Sequence, residues 1–457
     1  MSTADRTSAR WKLVMTAAGT ALLTACSSNE PAAAPEPRDT PAASAAPAST
    51  APSTGGGTPD LNAPETVATG IDVPWGLAFL PDGSALVAER DSGDVLRVRT
   101  GRAKPQQVFT VPGVLAAGEG GLLGLAVAAD YAETKWVYAY YTAEDDNRIV
   151  RFKIGGGNPE LVFDGIDKAG IHNGGRIAFG PDKMLYVGTG DAGERSAAQD
   201  AGDTNGKILR LTPEGRPAPG NPTAGSPVWS LGHRNVQGLA WTADGTMYAT
   251  EFGQNRFDEV NKIEPGGNYG WPEVEGEGGG REYIDPIVTW GTDEASPSGA
   301  AIAGDTLYAA GLRGERLWTV PLGGGEPKAE LSGRYGRLRT VAVAPDGALW
   351  LTTSNRDGRG DVQDGDDKIL RFPPGDLRTG TLLRREQRQA GDHRGVLGDL
   401  LPVRHHADAA KLILDGLGDH ILGLTAMRLH DLVDRIVNAK LHLPADGPLT
   451  CAAGKAY

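Results

Sequence analysis

The chain has 457 residues, a net charge of −13, 65 glycines and 31 prolines. This length is enough for one large folded domain with additional segments. Acidic and basic residues are interspersed, and the acidic balance argues against a nucleic-acid partner, which would favour a basic face. The high glycine and proline content favours many short elements joined by tight turns.

The first 25 residues have the pattern of a secretory signal. A basic segment precedes an apolar run from Leu13 to Leu23, and small residues then lead to Cys26. The alternative, a membrane helix, would need about 20 apolar residues, and this run is shorter. We interpret residues 1–25 as a signal resembling those of bacterial lipoproteins. Cys26 would then be lipidated, and the protein would lie outside the cytoplasmic membrane, held only by its lipid anchor.

Residues 26–62 are dominated by alanine, proline, serine, threonine and glycine. Such a segment has too few large apolar side chains to form a core. The sequence therefore predicts a disordered, proline-stiffened linker before the folded domain.

From Val73 onward, one pattern recurs six times: a short apolar strand, a tight turn that is often Asp-Gly, and a second apolar strand. These units cover residues 75–90, 124–142, 175–191, 238–253, 299–314 and 339–355. Third strands are predicted at 94–98, 147–154, 206–211, 258–263, 315–320 and 367–372. Six such units predict an all-β fold, a six-bladed β-propeller of four-stranded antiparallel blades, rather than unrelated hairpins in a sandwich. We place this domain at residues 63–375.

In a propeller, the segments that enter the inner strands meet at one end of the central channel. Here they carry one glutamate, one or two histidines, an asparagine and up to four arginines: Glu119, His172, His233, Arg234, Asn235, Arg313, Arg337 and Arg339. Converging guanidinium groups favour a ligand with several carboxylates, which they bind through paired hydrogen bonds. A histidine beside them is suited to accept a proton near neutral pH.

Residues from about 66 to 374 resemble the soluble quinoprotein sugar dehydrogenases, glucose and aldose sugar dehydrogenases that use pyrroloquinoline quinone (PQQ). The matching motifs are PWGLAFLPDG, GEGGLLGLA, HNGGRIAFGPD, GHRNVQGLAW, EFGQNRFDEVNKI followed by GGNYGWP, and RLRTVAVAPDG. The resemblance implies oxidation of an aldose sugar at its C1 hydroxyl to a lactone, with hydride transfer to PQQ. It also implies Ca²⁺ as a second cofactor and an external electron acceptor.

The resemblance further implies roles for individual residues. His172 matches the general base, and Arg234 matches the arginine that stabilises charge on the reduced quinone. Further matches to cofactor-binding positions are Asn235, Arg337 and Arg339. Arg313 falls where the family often has a lysine at the cofactor, and Glu119 falls where some members have a glutamine. Matches to calcium positions are the carbonyls of Gly253 and Gln254 for the catalytic ion, with Glu259 and Tyr269 for a second, structural ion; oxygen ligands suit this cation.

The position before the histidine also departs from the family pattern. Ile171 stands where glucose-active members carry an aspartate that could orient the base. Another group or the backbone must therefore orient His172, and the sequence does not define the preferred sugar.

The composition changes after about Pro374. Six of the eight histidines lie between residues 393 and 442, and residues 409–441 are apolar at helix-like spacing. We interpret residues 376–457 as an atypical tail without a catalytic role, either an added helical appendage or the product of a shifted reading frame.

Two other functions remain open for a six-bladed scaffold. A calcium-dependent lactonase or hydrolase would have a mouth dominated by metal-binding carboxylates. A non-catalytic propeller would bind a glycan or another partner without using His172. The arginines favour the quinoprotein, and the chain has no strand–GxGxxG–helix unit of the kind that binds nicotinamide cofactors.

Overall fold

The computed structural model describes residues 57–102 and 104–375. In these ranges, 24 strands form six four-stranded antiparallel sheets, and the first strands of neighbouring sheets contact one another around a closed ring. The predicted six-bladed, all-β propeller is therefore confirmed. The predicted signal, Cys26, most of the linker and the tail at 376–457 lie outside the described residues. No helix within the described ranges is long and apolar enough to cross a bilayer.

The first strand of the chain belongs to the last blade. β1 (Glu65–Thr69) pairs antiparallel with the final strand, β24 (Lys368–Phe372), and Glu65 lies opposite Arg371. An isolated bridge between Pro59 and Pro374 extends this contact. A sheet edge is thereby covered where the two ends of the domain meet. The repeat pattern did not predict this pairing.

The other strands follow in chain order, four to a blade, except that blade six takes β1 as its outer strand. Blades one and two are formed by β2 (Pro74–Phe79), β3 (Ala85–Glu89), β4 (Asp94–Val98), β5 (Gln106–Thr110), β6 (Leu122–Val127), β7 (Val137–Thr142), β8 (Asn147–Phe152) and β9 (Glu160–Ile166). Blades three and four are formed by β10 (Arg176–Phe179), β11 (Leu185–Gly188), β12 (Lys207–Leu211), β13 (Val228–Leu231), β14 (Val236–Trp241), β15 (Met247–Glu251), β16 (Phe257–Ile263) and β17 (Val288–Gly291). Blades five and six are formed by β18 (Pro297–Ala303), β19 (Thr306–Gly311), β20 (Arg316–Pro321), β21 (Lys328–Glu330), β22 (Leu338–Val343), β23 (Leu349–Thr353), β24 and β1.

Helices are short in the described part of the chain. They are α1 (Tyr131–Thr134) and a 3₁₀-helix at Arg195–Gln199.

Aromatic pairs fill the spaces between neighbouring blades. Their ring centroids are 4.9–5.2 Å apart in the pairs Tyr138–Phe179, Tyr186–Trp241, Trp290–Trp318 and Phe79–Trp350. Because each pair joins two successive blades, the apolar faces that the strand pattern predicted are buried between sheets rather than within one sheet.

The inner strands approach one another closely at one repeated position, occupied by glycine in blades one, two, four and five: Gly76, Gly124, Gly238 and Gly299. A Cβ atom on Gly124 would lie 2.2 Å from the carbonyl oxygen of Gly175 in the next blade. A Cβ atom on Gly76 would lie 2.5 Å from the carbonyl oxygen of Leu123. A side chain at these positions would therefore push neighbouring blades apart.

Blades three and six carry Arg176 and Thr340 at the same position. The Arg176 side chain crosses the channel, where Nε donates to the carbonyl oxygen of Gln237 (2.7 Å) and Nη2 donates to Thr340 Oγ1 (3.0 Å). Its guanidinium carbon lies 4.3 Å from the centre of the Trp75 ring. One side chain thus links blades one, three, four and six in the middle of the channel.

We expect Gly124→Ala to lower the free energy of unfolding by about 2 kcal/mol or more, because overpacking costs of that order arise when backbone must move. Urea denaturation followed by tryptophan fluorescence measures the change. Gly157→Ala is the control, since a Cβ atom there has no neighbour within 4 Å. Equal midpoints for the two variants would show that the inner strands can separate without cost.

Candidate active site

A cavity of about 380 Å³, its open mouth included, lies at one end of the channel. It is lined by residues that precede or begin the first strand of a blade, or that follow its second strand: Arg90, Gly118, Glu119, Gln237, Phe252, Leu312, Arg339, Asp357 and Arg359. Segments that are far apart in sequence therefore meet at one site, as the propeller topology predicted.

The imidazole of His172 lies between a carboxylate and a guanidinium group. Its Nδ1 lies 2.6 Å from Asp191 Oδ1, and its Nε2 lies 2.7 Å from Arg234 Nη2. A guanidinium group can only donate hydrogen bonds, so Nε2 must offer its lone pair and Nδ1 carries the proton. These partners assign the tautomer in which Nε2 can accept a proton.

Asp191 provides the orienting carboxylate that Ile171 cannot provide. Burial raises the pKa of Asp191, but hydrogen bonds from the His172 ring, the Gly193 N–H and the Trp271 indole outweigh burial and lower it overall. The carboxylate is therefore ionised at neutral pH and fixes the Nδ1–H of the imidazole. Ile171 itself is exposed next to the histidine.

Trp271 joins both partners of the histidine. Its Nε1 donates to Asp191 Oδ2 (2.8 Å), and its ring lies 5.6 Å from the guanidinium carbon of Arg234. Asp191, His172, Arg234 and Trp271 form a closed ring of contacts, so displacing one of them disturbs the other three.

Arg234 is buried and is held by neutral acceptors. Its Nη1 donates to the carbonyl oxygen of Phe252, and its Nε and Nη2 donate to Gln254 Oε1 at 3.0 and 2.7 Å. Burial lowers its pKa, and nearby carboxylates, Asp191 first among them, partly offset this. No carboxylate of the described residues forms an ion pair with its guanidinium, so its charge is available to a ligand.

Positive charge also exceeds negative charge around Arg339, which lines the cavity. Asp357 Oδ2 accepts from Arg337 at 2.8 Å and from Arg339 at 3.4 Å, whereas Arg176 donates only to neutral oxygens. Burial lowers the pKa of Arg176 to about 9 and that of Arg339 to about 10, so both remain charged at neutral pH. Arg337 and Arg339 thus share one carboxylate and Arg176 contacts none in the described part of the chain, an arrangement that an anionic ligand would stabilise.

Asn235 offers a donor that the protein does not use. Its Oδ1 accepts from the Gly174 N–H at 2.9 Å, while its buried Nδ2 has no partner among the described residues. An unpaired buried donor costs free energy, and a ligand oxygen would satisfy it. This atom and the excess of arginine charge fit an anionic cofactor rich in oxygen atoms.

Of two further residues predicted to bind the cofactor, Glu119 lines the cavity and Arg313 does not. Glu119 lines the cavity, but its oxygens accept from the His172 N–H (2.9 Å) and from Arg359 (3.1 Å). Arg313 is exposed and only reaches the carbonyl oxygen of Thr292, at 3.5 Å, and it does not line the cavity. Their roles at the cofactor stay predictions.

The predicted catalytic calcium loop is held in shape by two carboxylates. The Gly253 N–H donates to Asp258 Oδ1 at 2.9 Å. Glu275 Oε1 accepts from four successive N–H groups, those of residues 254–257, at 2.7–3.1 Å. With its N–H groups occupied, this loop has a defined backbone conformation beside Arg234.

The two residues predicted for the structural calcium ion, Glu259 and Tyr269, line a second cavity together with Glu251. Arg234, Gly253 and Trp271 line the same cavity. Burial raises the pKa of both glutamates, and Asn261 Oδ1 beside them has no hydrogen-bond donor. A cation would satisfy this set of oxygens. The Tyr269 hydroxyl is already used, because it donates to Lys262 O and accepts from the Glu264 N–H. Across residues 57–102 and 104–375, no group of three or more His, Cys, Asp or Glu side chains is arranged to hold a metal ion.

Sequence reasoning missed five residues of this site: Asp191, Gln237, Trp271, Asp357 and Arg176. Asp191 and Asp357 each follow the second strand of a blade, at the same end as the residues that were predicted. An acidic residue three or four positions after the end of a second strand was therefore a usable signal. Nothing in the sequence indicated that Arg176 would turn into the channel.

Comparisons with known proteins find similarity to sugar dehydrogenases. The structure of the PQQ-bound aldose sugar dehydrogenase from Streptomyces coelicolor is 54% identical, with a TM-score of 0.66, over 71% of this chain and 99% of that chain. Aldose sugar dehydrogenase YliI of Escherichia coli is 29% identical over 63% of this chain and 89% of its own. Quinoprotein glucose dehydrogenase B of Acinetobacter calcoaceticus is 30% identical over 46% of this chain and 52% of its own.

The family model described as glucose/sorbosone dehydrogenase matches residues 71–370, which span the propeller from blade one to the final strand. The chain belongs to the glucose/sorbosone dehydrogenase family.

Proposed function

We propose that this protein is a PQQ- and Ca²⁺-dependent dehydrogenase that oxidises aldose sugars at the C1 hydroxyl to lactones and passes the electrons to an external acceptor. The observation that carries the proposal is the Asp191–His172–Arg234 arrangement, with Nε2 ready to accept a proton. The names of the similar proteins support the substrate class, and the PQQ-bound relative supports the cofactor.

His172 would act as the general base. The sugar hydroxyl takes the place of Arg234 Nη2 at Nε2, donates a hydrogen bond there and then transfers its proton to that nitrogen. The imidazolium that forms is stabilised by Asp191, which already holds the Nδ1–H. Loss of the hydroxyl proton assists the departure of hydride from C1, and the carbonyl of the lactone forms.

The cofactor would be held by the charges and the donor that the protein leaves unsatisfied. Arg337 and Arg339 would bind its carboxylates, with the charge of Arg176 close by, while Arg234 and Asn235 Nδ2 would bind its oxygens. When bound, PQQ supplies the hydride acceptor and Ca²⁺ supplies positive charge that polarises it. The Gly253 and Gln254 carbonyls would hold the catalytic ion, and Glu259 and Tyr269 would contribute to a structural ion.

Reduction of a dye by the purified protein with PQQ, Ca²⁺ and a panel of aldoses tests this function. We expect His172→Gln to lower kcat about 10²–10⁴-fold, the usual contribution of a general base. Binding of PQQ, followed by its absorbance, should be retained in this variant because His172 is not one of the charged residues proposed to hold the cofactor. Absence of turnover with every aldose tested would contradict the proposal.

A second prediction concerns the pH dependence of turnover. Trp271→Phe keeps an aromatic ring near Arg234 but removes the hydrogen bond to Asp191, which raises the pKa of that carboxyl group. Asp191 must be ionised to hold the imidazole, so the fall in kcat/KM that accompanies protonation of this carboxyl group at acid pH should occur at a higher pH, by about 0.5–1 unit.

Trp318→Phe is the matched control, since the Trp318 indole N–H is buried without a partner in blade five. An unchanged acid limb in Trp271→Phe would show that Asp191 does not govern the base.

The proposed location rests on the N-terminal sequence. We infer that the protein is exported and attached to the outer side of the membrane by lipid on Cys26. Replacing Cys26 by alanine should abolish incorporation of labelled fatty acid and release the dehydrogenase from the membrane fraction. Continued labelling of the Cys26→Ala protein would exclude this residue as the anchor.

A further inference from the structure

His172 occupies an unusual backbone conformation. Its φ angle is +54°, in the left-handed region that side chains other than glycine rarely adopt. Such a conformation persists only where surrounding contacts enforce it. The Ala192 N–H donates to the carbonyl oxygen of His172, and a Cβ atom on Gly190 would lie 1.8 Å from that oxygen. The carbonyl side of the histidine is therefore enclosed by the loop that carries Asp191.

Glu119 holds the other side of the same residue. Its Oε2 accepts from the His172 N–H at 2.9 Å, and its own N–H donates to the carbonyl oxygen of Gly170 at 3.0 Å. Gly118 packs so tightly here that a Cβ atom would lie 2.2 Å from Gly170 O. The loop before blade two thus forms hydrogen bonds with Gly170 and His172, the residues on either side of Ile171.

The second carboxylate oxygen of Glu119 is also occupied. Its Oε1 lies 3.1 Å from Arg359 Nη1, on the loop between β23 and β24 of blade six. The side chain of Arg359 is 59% exposed, whereas that of Glu119 is 19% exposed. The arginine therefore balances the charge of Glu119 from the solvent side, while the bond to His172 lies deeper.

We propose that Glu119 is a positioning residue for His172, which holds the backbone of the base in its left-handed conformation, rather than a ligand of the cofactor. Both of its oxygens already have protein partners, and a carboxylate would repel the carboxylates of an anionic cofactor. This inference rests on the proposed function for its kinetic test, and on the geometry alone for its structural test.

Three substitutions separate the possible roles of Glu119. Glutamine keeps an oxygen at the same reach and loses the charge. Aspartate keeps the charge but is one methylene too short to reach the His172 N–H. Alanine removes both. A positioning role predicts that Glu119→Gln retains kcat within about threefold, whereas the aspartate and alanine variants lose about 10–100-fold with little change in KM.

Glu160→Ala is the control, because Glu160 is an exposed carboxylate of the same blade that pairs with Arg151 far from the cavity. Its kcat should equal that of the unaltered protein. If Glu119→Ala does not fold, the comparison of glutamine with aspartate still decides the question.

Two further measurements distinguish positioning from cofactor binding. Affinity for PQQ should stay within about threefold in all three Glu119 variants. Imidazole NMR signals of His172, identified by their loss in His172→Gln, should move in the aspartate and alanine variants and stay in place in the glutamine variant, in protein without added cofactor.

The proposal is overturned if the aspartate variant behaves like the unaltered protein while the glutamine variant fails, because charge would then be the property that matters. It is equally overturned if PQQ affinity falls at least tenfold while kcat is retained. If the unaltered protein oxidises no sugar, the proposed function fails, and the NMR comparison still decides the role of Glu119.

Discussion

The contact between the inner strands of neighbouring blades is the constraint on which this site depends. At Gly76, Gly124, Gly238 and Gly299, the adjacent backbone leaves no room for a Cβ atom. This close approach narrows the channel until one arginine, Arg176, can contact several blades at once. Residues at the ends of these strands are consequently within hydrogen-bonding distance across the mouth, although they are separated by up to 240 positions, as between Glu119 and Arg359.

Several buried charged and polar groups around the cavity lack a full set of partners. Buried charges are normally paired because an isolated charge in a protein interior is costly. Here Asp357 serves two arginines, Arg176 has only neutral acceptors, and Asn235 Nδ2 has none. Stability elsewhere in the propeller must offset this cost. Sites of this kind bind a ligand of opposite charge with little rearrangement, since the donors are already in place.

The repeat pattern was sufficient to predict the blades, whereas only two of the predicted site residues, Glu119 and Arg339, line the cavity. Alternating apolar strands and tight turns are local signals, so third strands such as Asp94–Val98 were placed correctly. The pairing of β1 with β24 and the bond between Asp191 and His172 are long-range outcomes of ring closure and loop packing. The local periodicity of the sequence predicts neither this pairing nor this hydrogen bond. Position alone was also insufficient for Arg313, because neighbours in sequence can point in different directions: Leu312 lines the cavity and Arg313 is exposed.

The orientation of His172 and the identity of the residue before it are independent in this protein. An aspartate at position 171 would be adjacent to the imidazole in sequence, yet the carboxylate that contacts Nδ1 comes from Asp191, after the second strand of the same blade. Asp191 is fixed in turn by the Trp271 indole and the Gly193 N–H. Because these bonds already satisfy the imidazole, Ile171 is free to remain exposed beside it. The hydrogen-bonding pattern that orients His172 therefore does not depend on residue 171, and a change at that position alters the surface next to the imidazole while its tautomer is preserved.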